Sequence, residues 1–389
     1  MKNFLFTLLI PVLFLLFSEC RQSTTKETAS GSPAYWYLLA GSYTGTGFTL
    51  DGADSGIYVL RMNVSTGELS CMQFSPHTEN PSWLVYDSLR RQVFSVNENE
   101  AGGISSFLFD PATMSLRFVN RVSSEGKYPC YLSVDPSGKY LLAANYGSGN
   151  VAVFPVSPDG KISKAVSVHQ HAGKGPDPDR QEGPHAHMIL PSPDGQFFYG
   201  TDLGTDEIYI YTLNPENGSL VPVGFTVKTS PGAGPRHIAF HHSKPWVYVI
   251  GELNGTIEAF LYEKTTGNLN RFQIAATRKE GDERFAGCAN IHIHPSGKFL
   301  YATNRGDINE IVLFEIDQNT GKLTRRESYP SGGKTPRNFT ISPDGRFLLC
   351  ANQNANNIVM FRIDTITGEL TPTNNILSLP APVCLQFIP

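Results

Sequence analysis

The sequence predicts an all-β fold built from repeated four-stranded units. Its composition favours short strands joined by tight turns, because glycine (36 residues), proline (27 residues) and aromatic residues (11%) are plentiful while charged residues make up only 17%. Many of the turns have the form Pro-Ser/Asp-Gly, in which glycine supplies the positive φ that a tight hairpin requires. The same frame of strands and turns recurs along the chain, and an internal repeat of this kind decides the fold.

Each repeat contains an alternating strand, a Pro-Ser/Asp-Gly turn, a second strand ending in Asn, Asp or Glu, a polar loop, a third strand and a less regular fourth strand. The frame is clearest in "CYLSVDPSGKYLLAANYGSGNVAVF", from Cys130, and in "RNFTISPDGRFLLCANQNANNIVMF", from Arg337. Counted from the residue after the opening proline or its equivalent, six units begin at Ser82, Cys130, His187, Arg236, Ala289 and Arg337. Four strands in about 40–50 residues is the spacing of β-propeller blades.

The two ends of the chain together supply a seventh unit. The stretch that begins "YWYLLAGSYTG" at Tyr35 is predicted to form strands two to four of a blade, and it lacks a first strand. The C-terminal "APVCLQFIP", from Ala381, is predicted to form an isolated first strand. Pairing these segments removes the open sheet edges and ties the termini together. We therefore predict one domain, a seven-bladed β-propeller over residues 35–389, closed by the C-terminal strand joining the N-terminal blade.

The N-terminus has the features of an export signal. Lys2 precedes an apolar run from Phe4 to Phe17, which is short for a bilayer span of about 20 residues but fits a signal peptide. The following "FSEC" resembles a bacterial lipoprotein cleavage box, although Glu19 replaces the usual small residue. We expect residues 1–19 to be a signal peptide, Cys20 to be lipidated and residues 20–34 to be a flexible tether. The protein would then face the periplasm or the cell surface and contact a membrane only through the lipid at Cys20.

The architecture predicts which residues share one rim of the propeller. In a blade, the first strand lines the central channel and the second runs antiparallel beside it, so the start of strand one and the end of strand two lie at the same rim. The strand-one starts give a first ring of Ser82, Cys130, His187, Arg236, Ala289, Arg337 and Val383. The strand-two ends give a second ring of Asn97, Asn145, Asp202, Glu252, Asn304 and Asn352, with Tyr146 and Arg305 just beyond.

Charged side chains converge in these predicted rings. His185 lies two residues before His187 and is expected to project to the same side. The residues expected to face one basin are His185, His187, Arg236, Glu252, Arg305 and Arg337. Because cations are buried only when they are paired, this set predicts an anionic ligand, with Glu252 available for proton chemistry. Other interpretations remain open: the histidines could be rim residues or metal ligands, and the arginines could pair with carboxylates between blades.

At these residues the sequence resembles the seven-bladed propeller lactonase family, which includes the propeller type of 6-phosphogluconolactonase and the fungal carboxymuconate cyclase. The resemblance covers the whole propeller and is carried by "RQEGPHAH" (180–187), "TDLGTD" (201–206), "GPRHIAFH" (234–241), "GELNG" (251–255), "IHIHPSGKFLYATNRG" (291–306) and "PRNFTISPDGRFLLCANQ" (336–353). It implies that catalysis uses the His of the Pro-His-x-His segment, the Arg of Gly-Pro-Arg-His, the Glu of Glu-Leu and the Arg of Asn-Arg-Gly. These residues are His185 or His187, Arg236, Glu252 and Arg305.

The resemblance implies a lactone hydrolase, similar to 6-phosphogluconolactonase, that opens a sugar δ-lactone with water. The residues expected to be catalytic are His185, His187, Arg236, Glu252 and Arg305. The residues expected to bind the substrate are Arg337, Asp202, Asn145 and Tyr146. Glu252 or a neutral histidine could serve as the base, and an arginine could stabilise the oxyanion.

The expected ligand is a small anionic sugar lactone or a carboxylate. No metal or cofactor is expected, and no covalent nucleophile is required, since the chain has no Gly-x-Ser-x-Gly elbow and nothing indicates a lowered pKa for the channel residue Cys130. A net charge of −4 and a pI of about 6.2 argue against a nucleic-acid partner. Two alternatives remain: a lactone-forming cyclase or isomerase, and an exported binding propeller without catalysis.

Overall fold

The computed structural model describes residues 34–44, 56–75 and 78–389, which form strands β1–β28 and one short 3-10 turn at Gln353–Ala355. The strands make seven antiparallel four-stranded sheets, numbered here as blades 1–7. The predicted seven-bladed β-propeller is therefore confirmed. The predicted signal peptide, the lipidated Cys20 and nearly all of the predicted tether lie outside the described residues. Within the described ranges, no helix is long and apolar enough to cross a membrane.

Blade 1 is assembled from both ends of the chain. From the inside outward it contains β28 (Pro382–Ile388), β1 (Tyr35–Ser42), β2 (Ile57–Asn63) and β3 (Leu69–Phe74). β28 pairs antiparallel with β1, with Tyr37 opposite Ile388 and Gly41 opposite Cys384. The C-terminal strand thus supplies the first strand that the N-terminal segment lacks, as the sequence predicts.

Each of the other six blades consists of four consecutive strands. Blade 2 contains β4 (Leu84–Asp87), β5 (Gln92–Asn97), β6 (Gly103–Asp110) and β7 (Ser115–Val122). Blade 3 contains β8 (Pro129–Val134), β9 (Tyr140–Asn145), β10 (Asn150–Pro155) and β11 (Ser167–Gln170). Blade 4 contains β12 (Ala186–Pro191), β13 (Phe198–Asp202), β14 (Glu207–Leu213) and β15 (Leu220–Lys228). Blade 5 contains β16 (Pro235–Phe240), β17 (Trp246–Gly251), β18 (Thr256–Tyr262) and β19 (Leu269–Ala276). Blade 6 contains β20 (Cys288–Ile293), β21 (Phe299–Asn304), β22 (Glu310–Ile316) and β23 (Leu323–Pro330). Blade 7 contains β24 (Pro336–Ile341), β25 (Phe347–Asn352), β26 (Asn357–Ile363) and β27 (Leu370–Ser378).

The apolar core lies between neighbouring blades. One cluster of buried side chains joins blades 3, 4 and 5 through residues such as Val153, Ile210 and Phe260. The first strands of adjacent blades contact one another around the ring, so they form the wall of the central channel. Buried apolar surface between sheets therefore holds the blades at fixed angles around the axis.

A β-bulge near the start of the first strand directs one side chain in each blade. The antiparallel register skips one residue in five blades, and the skipped residues are Cys130, His187, Arg236, Arg337 and Val383. In blade 6 the shift spans Ala289. In blade 2, Val96 donates to the carbonyl of Trp83 and Glu98 donates to that of Asn80, which leaves Ser82 at the same position. A bulge re-aims the unpaired side chain, and the bulged residues are those of the predicted first ring.

The predicted second ring is wrong by one residue in blades 2, 3, 4, 6 and 7, is right in blade 5, and has no member in blade 1. In every blade, the N–H of the residue that follows strand two donates to the carbonyl of the residue two before the bulge, at 2.8–3.2 Å. The donors are Tyr43, Glu98, Tyr146, Leu203, Glu252, Arg305 and Gln353. Glu252 is thus equivalent to Tyr146 and Arg305, and Gly251 takes the place that Asn or Asp fills in other blades. The physical reason is that those strand-ending Asn and Asp side chains bond to nearby loops rather than lining the axis; Asn352, for example, donates to the carbonyl of Ser331.

Candidate active site

Charged and polar side chains of the two rings come together at one end of the central channel, a cluster called here the axial cup. Its members are Tyr43, Glu98, Tyr146, His187, Arg236, Glu252, Arg305 and Arg337, together with Arg180 from the loop before β12. The charges of Arg236, Arg337 and Arg305 all act on the ring of His187, which indicates that the ring members face a shared space. The structure therefore brings together the predicted residues His187, Arg236, Glu252, Arg305 and Arg337.

Three arginines hold the carboxylate of Glu252. Arg236 Nε lies 3.0 Å from Oε2, Arg305 Nη2 lies 2.7 Å from Oε2, and Arg180 Nη2 lies 2.6 Å from Oε1. Glu252 is 6% exposed and Arg236 is 2% exposed, so the ion pair between them is well shielded from water, whereas the Arg180 side chain is 38% exposed. Three positive charges against one negative charge leave an excess of positive charge around this carboxylate.

Burial and charge shift the pKa values in this cluster. Burial alone raises the pKa of Glu252, but the charges of Arg305, Arg236 and Arg180 together outweigh burial and hold it well below its ordinary value. Burial, with Arg305 and Arg337 nearby, lowers the pKa of Arg236 to about 9, so its guanidinium remains charged at neutral pH. Both oxygens of this carboxylate lie within 3.0 Å of guanidinium nitrogens, so neither is free to take a proton from water. We therefore interpret Glu252 as the group that positions the three guanidinium groups.

His187 is a buried, neutral imidazole in the cup. Its residue exposure is 5%, and Nδ1 has no hydrogen-bond partner among the described residues. Burial, followed by the charges of Arg236 and His237, lowers its pKa well below 6.5. Its ring meets Tyr146 edge-on at 5.8 Å between centroids. A neutral imidazole beside a positively charged cluster can accept a proton, and its unpaired nitrogen lacks the partner that buried polar atoms normally have.

His185 lies on the rim rather than in the depth of the cup. Its ring stacks on Tyr146 at 4.6 Å, and its ring nitrogens lie 3.1 Å from the carbonyl of Tyr146 and 3.1 Å from Glu182 Oε1. Tyr146 Oη in turn accepts a hydrogen bond of 3.3 Å from Arg180. His185 and Tyr146 therefore form a wall that supports Arg180. Arg180 is not among the site residues predicted from the sequence, although it opens the motif "RQEGPHAH".

Two predicted substrate-binding residues, Asn145 and Asp202, do not reach the cup. Both are completely buried. Asn145 Nδ2 donates to the carbonyl of Ser124. Asp202 Oδ1 accepts the backbone N–H of His185 at 2.8 Å, and Oδ2 lies 2.7 Å from His171 Nδ1. The prediction that Asn145 and Asp202 bind the substrate is therefore wrong, because neither of these side chains is accessible to a ligand. Asp202 instead holds both ends of the loop that carries Arg180.

A second carboxylate, Glu98, faces the cup from blade 2. Tyr43 Oη donates to Glu98 Oε2 at 2.8 Å, and Arg337 Nη2 lies 3.7 Å from Oε1. The Arg337 guanidinium also lies over the Tyr43 ring, 5.3 Å from its centroid. The sequence analysis missed Tyr43 and Glu98. Aligning Asn97-Glu98 with Asn304-Arg305 would have found Glu98, because both pairs place a charged residue directly after the strand-ending Asn.

The structure gives no support to a thiol nucleophile. Cys130 is buried in the first ring, and its thiol lies 3.3 Å from the carbonyl of His187. Burial, assisted by the charge of Glu98, raises its pKa, which keeps it protonated at neutral pH. Within residues 34–44, 56–75 and 78–389, no three His, Cys, Asp or Glu side chains are grouped so as to hold a metal ion.

Comparison with known proteins places the chain in a family. The family model described as "Lactonase, 7-bladed beta-propeller" matches residues 37–387. The 6-phosphogluconolactonase of Bacillus subtilis is 34% identical over 89% of this chain and 97% of that protein, and the 6-phosphogluconolactonase of Formosa agariphila is 35% identical over 83% and 92%. The solved structure of the Pseudomonas aeruginosa periplasmic gluconolactonase PpgL matches with a TM-score of 0.86 and 33% identity, covering 92% of this chain and 99% of that one. The chain belongs to the seven-bladed β-propeller lactonase family.

Proposed function

We propose that this protein is a lactone hydrolase that opens a sugar lactone with water in the axial cup. The observation that carries the proposal is the convergence of Arg180, Arg236 and Arg305 on the buried Glu252, which leaves excess positive charge where an oxyanion would develop. The reaction class is supported by family membership and by relatives named 6-phosphogluconolactonase and gluconolactonase.

Hydrolysis begins with addition of water to the lactone carbonyl. His187 takes a proton from the attacking water, and Arg236 and Arg305 stabilise the negative charge on the carbonyl oxygen. Donors of this kind contribute about 3 kcal/mol each in other enzymes. The C–O bond of the ring then breaks, and His187 returns the proton to the departing ring oxygen. The product is a hydroxy acid, which loses its carboxyl proton to solvent, and the resulting carboxylate lies beside the same arginines.

We assign the proton transfer to His187 rather than to Glu252 or His185. Glu252 is held ionised by three guanidinium groups, and both ring nitrogens of His185 lie near hydrogen-bond partners on the rim. His187 alone of the three presents a neutral ring with an unpaired nitrogen. Arg337 contacts the substrate from the opposite side, and Tyr146 supports Arg180 at the mouth.

We also infer that the protein acts outside the cytoplasm. The inference rests on the signal-like N-terminus and is supported by the periplasmic relative. Lipid attachment at Cys20 remains part of the proposal. Cys20→Ser should move the protein from the membrane fraction to the soluble fraction, and an unchanged distribution would exclude the anchor.

A pH-stat assay tests the proposed reaction. The purified protein should accelerate acid release from D-glucono-δ-lactone or its 6-phosphate above the spontaneous rate. Arg236→Gln should lower kcat/KM about a hundredfold, because it removes an oxyanion donor. Arg271→Gln is the matched control, since Arg271 also pairs with a buried glutamate, Glu258, but on the outer strand β19. Failure to hydrolyse any sugar lactone, or equal losses in both variants, would refute the proposal.

A further inference from the structure

The charges in the axial cup divide into two unequal halves. Blades 4–6 and the loop before them supply Arg180, Arg236, Arg305 and the single carboxylate of Glu252, with an excess of two positive charges. Blades 7, 1 and 2 supply Arg337, Tyr43 and Glu98, in which one cation balances one anion. The first half therefore suits a group that is or becomes negatively charged, and the second half suits a polar group without net charge.

Two polar groups of the second half have hydrogen-bonding capacity that the described chain does not use. Glu98 uses Oε2 to accept from Tyr43, while Oε1 has only Arg337 nearby within the described chain, at 3.7 Å, too far for a hydrogen bond. No described residue accepts a hydrogen bond from the Arg337 side chain. The Glu98 side chain is 9% exposed and the Arg337 side chain is 18% exposed, so a ligand in the cup can reach both groups.

The chemistry of these unused groups matches hydroxyl groups. A guanidinium can only donate, and a carboxylate can only accept. A hydroxyl needs an acceptor for its hydrogen and a donor for its oxygen, so neighbouring hydroxyls can satisfy Arg337 and Glu98 together. A phosphate or carboxylate would instead meet the negative charge of Glu98 here, although positive charge is in excess across the cup.

We propose that Glu98 and Arg337 form a subsite for the hydroxyl groups of a polyhydroxylated lactone, with Glu98 as the specificity-determining residue. Tyr43 is a positioning residue, since its hydroxyl occupies Oε2 and leaves Oε1 for the substrate. The lactone then lies across the axis, with its carbonyl toward Arg236 and its hydroxylated carbons toward Glu98. This inference rests on the proposed function.

Steady-state kinetics of Glu98→Gln test the subsite. Because charge-assisted hydrogen bonds to hydroxyls are lost, KM for D-glucono-δ-lactone should rise about tenfold or more while kcat changes less than about threefold. Inhibition by sulfate should be as strong as in the wild type or stronger, since a negative charge has left the cup. Tyr43→Phe keeps the charge of Glu98 but removes its hydrogen-bond donor, and should raise KM about threefold. Glu327→Gln, on the exposed strand β23, is the matched control.

Each outcome decides between the alternatives. A KM for Glu98→Gln within about threefold of the wild type overturns the subsite, as does a parallel loss of substrate and sulfate binding, which would indicate general distortion of the cup. If sulfate does not inhibit the wild-type enzyme, the result contradicts the proposed division of charge between the two halves of the cup. If Glu98→Gln does not fold, an unchanged KM in Tyr43→Phe overturns the proposal. Hydrolysis of δ-valerolactone with the same kcat/KM as gluconolactone removes the subsite and leaves the proposed function intact, whereas no hydrolysis of either removes the function itself.

Discussion

At the scale of single residues, His185 and His187 differ through their partners. They lie in one short motif, and the sequence predicts that both face the same basin. The structure separates them, because Tyr146 and Glu182 occupy the ring nitrogens of His185 while His187 is buried without a partner at Nδ1. Those partners come from a loop and from a neighbouring blade, which sequence alignment of the repeats does not locate. The choice of histidine therefore could not be made from the sequence.

The neutral state of His187 gives a prediction about pH. Burial and the charge of Arg236 lower its pKa, so the folded protein leaves His187 unprotonated while the unfolded chain binds a proton below pH 6.5. The free energy of unfolding should therefore fall as the pH drops below 6.5, by at most about 1.4 kcal/mol per pH unit from this residue. Urea unfolding of His187→Gln between neutral and mildly acid pH should show a shallower decline than the wild type.

The same variant should lose activity. His187→Gln removes the proton acceptor, and kcat should fall roughly 10²–10⁴-fold at neutral pH. The wild-type rate should be constant from pH 6.5 to about 8, where His187 is neutral and Arg236, with its pKa lowered to about 9, is still charged. It should decline in more acid solution, where His187 becomes protonated. A wild-type profile that falls near neutral pH, or a variant with full kcat, would assign the proton transfer to another group.

At the scale of the blade, the bulge is the device that turns a side chain toward the axis. The sequence predicts all seven bulged positions, because an opening proline and the Pro-Ser/Asp-Gly turn fix the register of the first strand. The sequence misplaces the second ring. In blade 5, Gly251 replaces the strand-ending Asn, so Glu252 is aligned with the strand-ending residues of the other blades instead of with the residues that follow them. Glu98, which follows a strand-ending Asn, is not predicted for this reason. The backbone hydrogen bond that defines the ring becomes visible only in the folded structure.

Gly234, two residues before the bulge of blade 5, tests this device. Its φ is +61°, and an added Cβ would lie 2.7 Å from Leu253 Cγ and 3.1 Å from Leu203 Cγ. Gly234→Ala should therefore destabilise the protein by about 2 kcal/mol or more and, by displacing Arg236, lower kcat/KM about tenfold.

The matched control is Gly224→Ala in β15. Gly224 also has a positive φ, of +92°, but nothing lies within 4 Å of an added Cβ, and the residue lies in the fourth strand of blade 4, at the opposite edge of the sheet from the channel. It should lose stability through backbone strain alone and keep its kcat/KM. Urea unfolding and steady-state kinetics compare the two variants. Equal effects of both substitutions on kcat/KM would show that the backbone at Gly234 does not position Arg236.

At the scale of the whole molecule, ring closure gathers residues that are distant in sequence. The sequence predicts the closure correctly, because the N-terminal unit lacks a first strand and the C-terminal segment is a first strand without a blade. It does not predict that Arg180 enters the cup. Arg180 lies in a loop outside the repeat, and that loop is fixed by Asp202 and by Gln181, which bonds to Asp206. The spacing of the repeats therefore does not predict where Arg180 lies.

The most direct test of the account is the kcat/KM of Glu252→Gln on a sugar lactone, in a sample whose circular dichroism matches the wild type. Glu252 is the single acceptor that joins arginines from blade 5, blade 6 and the loop before blade 4. If the axial cup performs the reaction, releasing three guanidinium groups at once should lower kcat/KM about a hundredfold or more. A value within about threefold of the wild type would contradict the account, because the chemistry would then take place elsewhere in the molecule.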